Sequence, residues 1–178
     1  MTETENLIQQ ASADDLRAFL LEQIAQDDDL AMRALNWFSE TISPEQLSDL
    51  IFTLRHIPQQ HEDRSGFISW KNVSMYQQDI LKFLCRHVDP MIRQHHDQAA
   101  TKVLIEAIDL QGIVEMDDEY ERMNIIVNCL DRLEEIYPHA SKEVQSTILA
   151  YAENQLERLC DGCDNLTETF LNHLKASD

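Results

Sequence analysis

Apolar side chains recur at three- and four-residue steps along most of the chain, the spacing of one face of an α-helix. The pattern is clearest from Val73 to Val88, where Val73, Tyr76, Ile80, Leu84 and Val88 share one stripe. Asp89-Pro90 follows and is expected to break or restart that helix, because proline disfavours the α conformation in the residue before it. Upstream, Ser12 with Asp15 reads as a helix start, with Leu16, Phe19, Leu20 and Ile24 turned inward. The Asp27-Asp28-Asp29 run reads as a turn and cap for a helix burying Leu30, Ala34, Leu35, Trp37 and Phe38. Ser43-Pro44-Glu45-Gln46 opens a third helix carrying Leu47, Leu50, Ile51 and Leu54, which stops near Ile57-Pro58.

Residues 58–68 are polar and form the longest expected loop before the Val73 stripe. Beyond Pro90, Asp97 caps a helix holding Ala100, Val103, Leu104, Ala107 and Ile108. Gly112 falls near its end, a position where a left-handed residue is common. Asp117-Asp118-Glu119 opens the next, with Tyr120, Met123, Ile126, Val127, Leu130, Leu133 and Ile136 inward and Pro138 closing it. Ser141 caps another, with Val144, Ile148, Tyr151, Ala152, Leu156 and Leu159. Asp161-Gly162 turns into a last helix around Leu166, Phe170, Leu171 and Leu174. The expectation is an all-α fold of seven to eight helices, paired as antiparallel hairpins in an irregular array, like HEAT or tetratricopeptide units, or in a bundle. Residues 1–11 are expected to be a flexible N-terminus and 12–176 one helical domain.

Composition narrows this further. Three glycines and four prolines cannot supply a turn every ~8–12 positions, so a strand-rich fold is disfavoured. The net charge of −19 opposes direct binding to nucleic acid phosphates or anionic membranes and favours basic partners. That charge is uneven: residues 1–50 carry −9 and 106–178 carry −12, whereas 51–105 carry +2 and hold five of the seven histidines. No signal-like segment opens the chain and no run approaches the ~20 apolar residues of a membrane span, so a cytoplasmic location is expected. Its four cysteines, Cys85, Cys129, Cys160 and Cys163, then read as reduced thiols.

The segments ASADDLRAFLLEQIAQDDDLAMRAL and GFISWKNVSMYQQDI carry a resemblance. They are similar to helical stretches of the poorly characterised all-helical region that accompanies bacterial SWIM zinc fingers. The resemblance implies a repeat-like helical domain and no catalytic residue. It does not extend to the zinc finger: Cys85-Arg86-His87 has the shape of its second half, but no C-x-C is present.

Candidate chemistry is sparse. Cys160-Asp161-Gly162-Cys163 places two thiols at zinc-ligand spacing, but a tetrahedral site needs two more ligands, and two cysteines at a helix end is the simpler reading. His95 and His96, near Cys85 and His87, are adjacent residues whose side chains would point about 100° apart on a helix. The acidic runs lack the spacing of a calcium loop and fit helix capping. No nucleophile elbow, P-loop or dinucleotide fingerprint occurs. The chain is therefore expected to be non-enzymatic, without a cofactor, and to bind another protein as an adaptor or scaffold. Arg64, Trp70, Lys71 and Arg86, in the less acidic middle, are the expected partner-binding residues. Two alternatives stay open: an acidic nucleic-acid mimic that occupies a DNA-binding protein, and a metal-binding protein using Cys160 and Cys163.

Overall fold

Several helices begin where the sequence provides a side chain to cap them, among them those that start at Ala13 and Pro44. The structure, a computed structural model, describes residues 2–38, 41–117, 119–154 and 164–176, in two compact units, Met1–Glu40 and Thr41–Asp178. The all-α expectation holds, with ten α-helical segments among the described residues and one sheet of two very short strands. None of the helices among these residues is long and apolar enough to cross a membrane.

The first unit contains α1 (Glu3–Gln10), α2 (Ala13–Ile24) and α3 (Asp28–Phe38). Ser12 Oγ accepts the Asp15 N–H at 3.1 Å and Asp27 Oδ1 accepts the Leu30 N–H at 3.0 Å, each satisfying a donor that the first turn leaves open. The segment read as a loose N-terminus is thus largely helical. No described side chain of this unit is buried. Leu16 and Phe19, expected inward, are exposed, as is Trp37, expected in the core. Periodicity marks a face as apolar without deciding whether anything covers it. The side chains of Leu35 and Phe38 lie outside the described residues.

The second unit opens with α4 (Pro44–His56). Its start is a reciprocal capping box: Ser43 Oγ accepts the Gln46 N–H at 3.2 Å, and Gln46 Oε1 accepts the Ser43 N–H at 2.7 Å. A 3₁₀ turn at Pro58–Gln60 and strand β1 (Phe67–Ile68) lead to α5 (Val73–Phe83). A π-helical turn, Leu84–Val88, joins α5 directly to α6 (Asp89–Arg93), so one rod runs from residue 73 to 93. Then come α7 (Asp97–Ile113), β2 (Glu115–Met116), α8 (Glu119–Ile136), a 3₁₀ turn at Tyr137–His139, α9 (Lys142–Asn154) and α10 (Asp164–Ala176).

Asp89-Pro90 does not break the rod as expected. Asp89 keeps helical angles (φ −57°, ψ −39°), and its N–H reaches back five residues to Leu84 O. This wider turn moves aside the carbonyl that the Pro90 ring would strike in a regular helix. It also serves the core. Phe83, His87 and Met91, and likewise Leu84, Val88 and Ile92, are buried at four-residue steps. Steps of four overrun an α-helix by about 40° each, and the slower rotation of the π turn takes up that excess. Gly112 falls near the end of α7, as expected, but its backbone is not left-handed and the helix runs one residue further, to Ile113.

The rod and α8 lie side by side with a nearly constant sequence offset. Phe67 pairs with Glu115 and Ile68 with Met116 in a parallel register. Trp70 N–H donates to Asp117 Oδ2 (2.8 Å) and Ser74 Oγ to Glu121 Oε1 (3.1 Å). Near the far end, Arg132 Nε donates to Asp89 Oδ1 (2.7 Å) and Nη2 to Cys85 Sγ (3.7 Å). A constant offset means that the two elements run parallel, so α7 must return antiparallel to both. Ala100, Val103, Leu104, Ala107 and Ile108 of α7 are all buried, as the stripe predicts, and α7 packs against α4, α6, α8 and α9. On α8, Tyr120 and Val127 are exposed instead of inward, whereas Ile126, Leu130, Leu133 and Ile136 are buried.

Two measurements check this core. Cys129 is buried on α8, and burial pushes its thiol up to about 12, while Cys85 is exposed. Iodoacetamide at neutral pH is therefore expected to label Cys85 at least about tenfold faster than Cys129, read by peptide mass spectrometry; equal rates would contradict the burial. Burial also raises the hydroxyls of Tyr76 and Tyr151 above the ordinary tyrosine range, with Asp109 adding to the effect at Tyr151. All three groups are neutral when folded. Above the unfolded thiol value of ~8.5 the unfolded chain ionises while the folded one does not, so each raised group removes ~1.4 kcal/mol per pH unit once its unfolded value is passed. The urea midpoint is expected to hold from pH 7 to about pH 8.5 and then fall steadily as pH rises toward 12.

Candidate functional site

Residues 58–72 form a bracket that presents Trp70 to solvent. His61 N–H closes the 3₁₀ turn onto Pro58 O at 2.8 Å. Asp63 then organises the polar turn: its Oδ1 accepts from Ser65 N (2.8 Å), Ser65 Oγ (2.6 Å) and Phe67 N (3.4 Å). Those bonds, the Ser65 hydroxyl first, hold the Asp63 carboxyl below the usual range. Gly66 has φ +85°, a left-handed backbone that favours glycine, and its N–H bonds Asp63 O at 3.1 Å. Asp63 N–H in turn reaches Phe67 O at 2.9 Å, fixing the entry into β1.

The backbone of Trp70 is held on both sides. On one, β1 pairs with β2, and Asp117 accepts the Trp70 N–H as described above. On the other, Ser69 O accepts the N–H groups of Asn72 (2.8 Å) and Val73 (3.1 Å), which starts α5. Asn72 Nδ2 donates to His61 O at 2.9 Å, tying α5 back to the 3₁₀ turn. His61, itself buried, lies 3.1 Å from Asp79 Oδ2 and edge-on to Tyr76. Tyr76, with no exposed surface, donates to Gln111 Oε1 at 3.2 Å. This chain of bonds links the bracket to the core. Asp79 also accepts from Lys82, whose bond, together with that of His61, holds its carboxyl below the usual range.

Trp70 is 69% exposed, and Lys71 Nζ sits 5.6 Å from its ring centroid, a cation–π distance. Arg64 is exposed at the tip of the turn. Arg64, Trp70 and Lys71 therefore belong to one bracket. Arg86 does not: it is exposed on the π turn, beyond the far end of α5, whose 11 residues alone span about 16 Å. Sequence reasoning missed Asp117, which fixes Trp70 across 47 residues, and the exposed Met75 and Tyr120 on the two clamped helix starts. Tyr120 had a usable signal: it lies seven positions before Val127, on a face about 150° from the centre of the buried arc of α8.

Other candidates do not converge. His95 is exposed with φ 59°, and His96 precedes α7. Among the described residues no group of three histidine, cysteine or acidic side chains is placed to hold a metal ion. Cys160 and Cys163 lie outside the described residues, as do Leu156, Leu159 and the Asp161-Gly162 turn. A surface depression of about 340 Å³ beside α6 is lined by Asp89, Arg93, Asp131, Arg132 and Glu135, where the Arg132–Asp89 ion pair occupies one wall. Bidentate contact to Asp89 and a bond from Arg132 Nη1 to Asn128 O (2.8 Å) commit that guanidinium to holding the rod against α8. What the bracket offers is an exposed tryptophan with an anchored backbone and Lys71 beside its ring. Comparison with protein-family models, curated proteins and solved structures finds no significant match to this chain.

Proposed function

We propose that this chain is a non-catalytic protein-interaction module that docks a partner protein against the Trp70 bracket, with Lys71 and Arg64 at its rim. The observation that carries this reading is the pairing of a solvent-facing indole with a backbone bonded on both sides. A large aromatic ring already fixed in place loses little conformational freedom on binding, and tryptophan and arginine are over-represented among residues that dominate interface energy. The acidic body of the molecule steers a basic partner toward it, while the cations at the rim set the local register.

Affinity capture from the source cell, quantified by mass spectrometry, tests the reading. At least one partner retained by the native chain is expected to be lost with Trp70→Ala and kept with Arg86→Gln. Loss governed by salt alone, with Trp70→Ala binding as well as the native chain, would instead favour the acidic nucleic-acid mimic.

A further inference from the structure

Among its described residues the first unit exposes apolar side chains and buries none. Its 40 residues carry nine acids and two bases, a net charge of −7. Leu7, Ile8, Leu16, Phe19, Leu21 and Trp37 are all exposed, and no described side chain of the unit is buried. Isolated helices of 8 to 12 residues are marginal in water, and in proteins their stability comes mainly from covering an apolar face. The charges stand next to the apolar groups. On α2, Phe19, 63% exposed, has Asp15 four positions before it and Glu22 three positions after it. At that spacing both carboxylates neighbour the ring on the helix surface. An aromatic anchor edged by carboxylates is complementary to an apolar stripe bordered by lysine or arginine.

We propose that Met1–Glu40 is a second docking surface, which receives a cationic amphipathic helix of another protein. The charge selects among possible occupants. A second copy would bring −7 against −7, and nucleic acid or an anionic membrane would add more negative charge. A basic helix matches both the apolar and the electrostatic character. This proposal does not rest on the reading of the Trp70 bracket, so either can fail without the other.

The test uses the full chain and a fluorescent lysine–leucine peptide patterned as an amphipathic helix. Two controls accompany it: the same composition scrambled to lose the apolar face, and a glutamate–leucine version. The lysine–leucine helix is expected to bind, with Phe19→Ser weakening it about tenfold or more and Trp70→Ala leaving it unchanged. Asp15→Asn with Glu22→Gln is expected to weaken binding about threefold or more and to flatten its salt dependence. Circular dichroism confirms that the variants keep their helix content. Equal binding of the scrambled or the acidic peptide would overturn the proposal, as would an unchanged affinity for Phe19→Ser. So would a dimer in sedimentation that Phe19→Ser dissociates, since the occupant would then be a second copy.

Discussion

Leu104→Ala is expected to lower the unfolding free energy by about 3–5 kcal/mol, the range for truncating a leucine whose site cannot collapse. Leu104 has no exposed surface and lies midway along α7. That helix is packed by α4, α6, α8 and α9, so no side is free to move into the void. A typical domain is stable by only ~5–15 kcal/mol, so the loss would be a large share of the total. Urea unfolding at pH 7 measures it. Ile113→Ala, at the exposed end of the same helix, serves as the control and is expected to change stability by no more than about 0.5 kcal/mol. A Leu104→Ala effect below about 1 kcal/mol would mean that α7 is not the centre of this core.

Trp70→Ala should show the opposite profile. Trp70 is mostly exposed and its backbone bond to Asp117 does not involve the side chain, so stability should change by about 1 kcal/mol or less. The contact with Lys71, worth about 0.5–1 kcal/mol at an exposed site, is lost within the chain. Partner affinity, by contrast, is expected to fall by about 2 kcal/mol or more, roughly thirtyfold, as for a central aromatic anchor. Titration calorimetry with a captured partner reads this directly. An unchanged affinity would remove the bracket from the interface, and a large loss of stability would show that the indole is structural.

The parts of the fold readable from the chain are those governed by local chemistry. Ser12, Ser43 with Pro44, and Ser141 do cap helices, because the orphan amides of a first turn require an acceptor within reach. The stripe from Val73 to Val88 is buried throughout, because a regular spacing places those side chains on one face. What stayed hidden depends on distant partners. Two-residue strands are too short to show an alternating pattern, so β1 and β2 left no trace in the sequence. The bond from Trp70 to Asp117 joins residues that no local rule connects. Tyr120, Val127 and Trp37 were misread because residue type was weighed above angular position, and nothing in a sequence says which apolar face finds a cover. Of the candidate residues, Arg64, Trp70 and Lys71 were legible as exposed neighbours in the polar stretch before α5, and Arg86 lies apart on the π turn.

The steady offset between the rod and α8 bears on how the chain folds. Bringing Trp70 to Asp117 closes a loop of 47 residues, an entropic cost of about 3.4 kcal/mol beyond a constant. Ser74 with Glu121 and Cys85 with Arg132 have the same separation, so once the first rung forms the others need almost no additional closure. The chain thus meets its main topological barrier once. Whichever rung forms first, the others are then brought within reach along the rod.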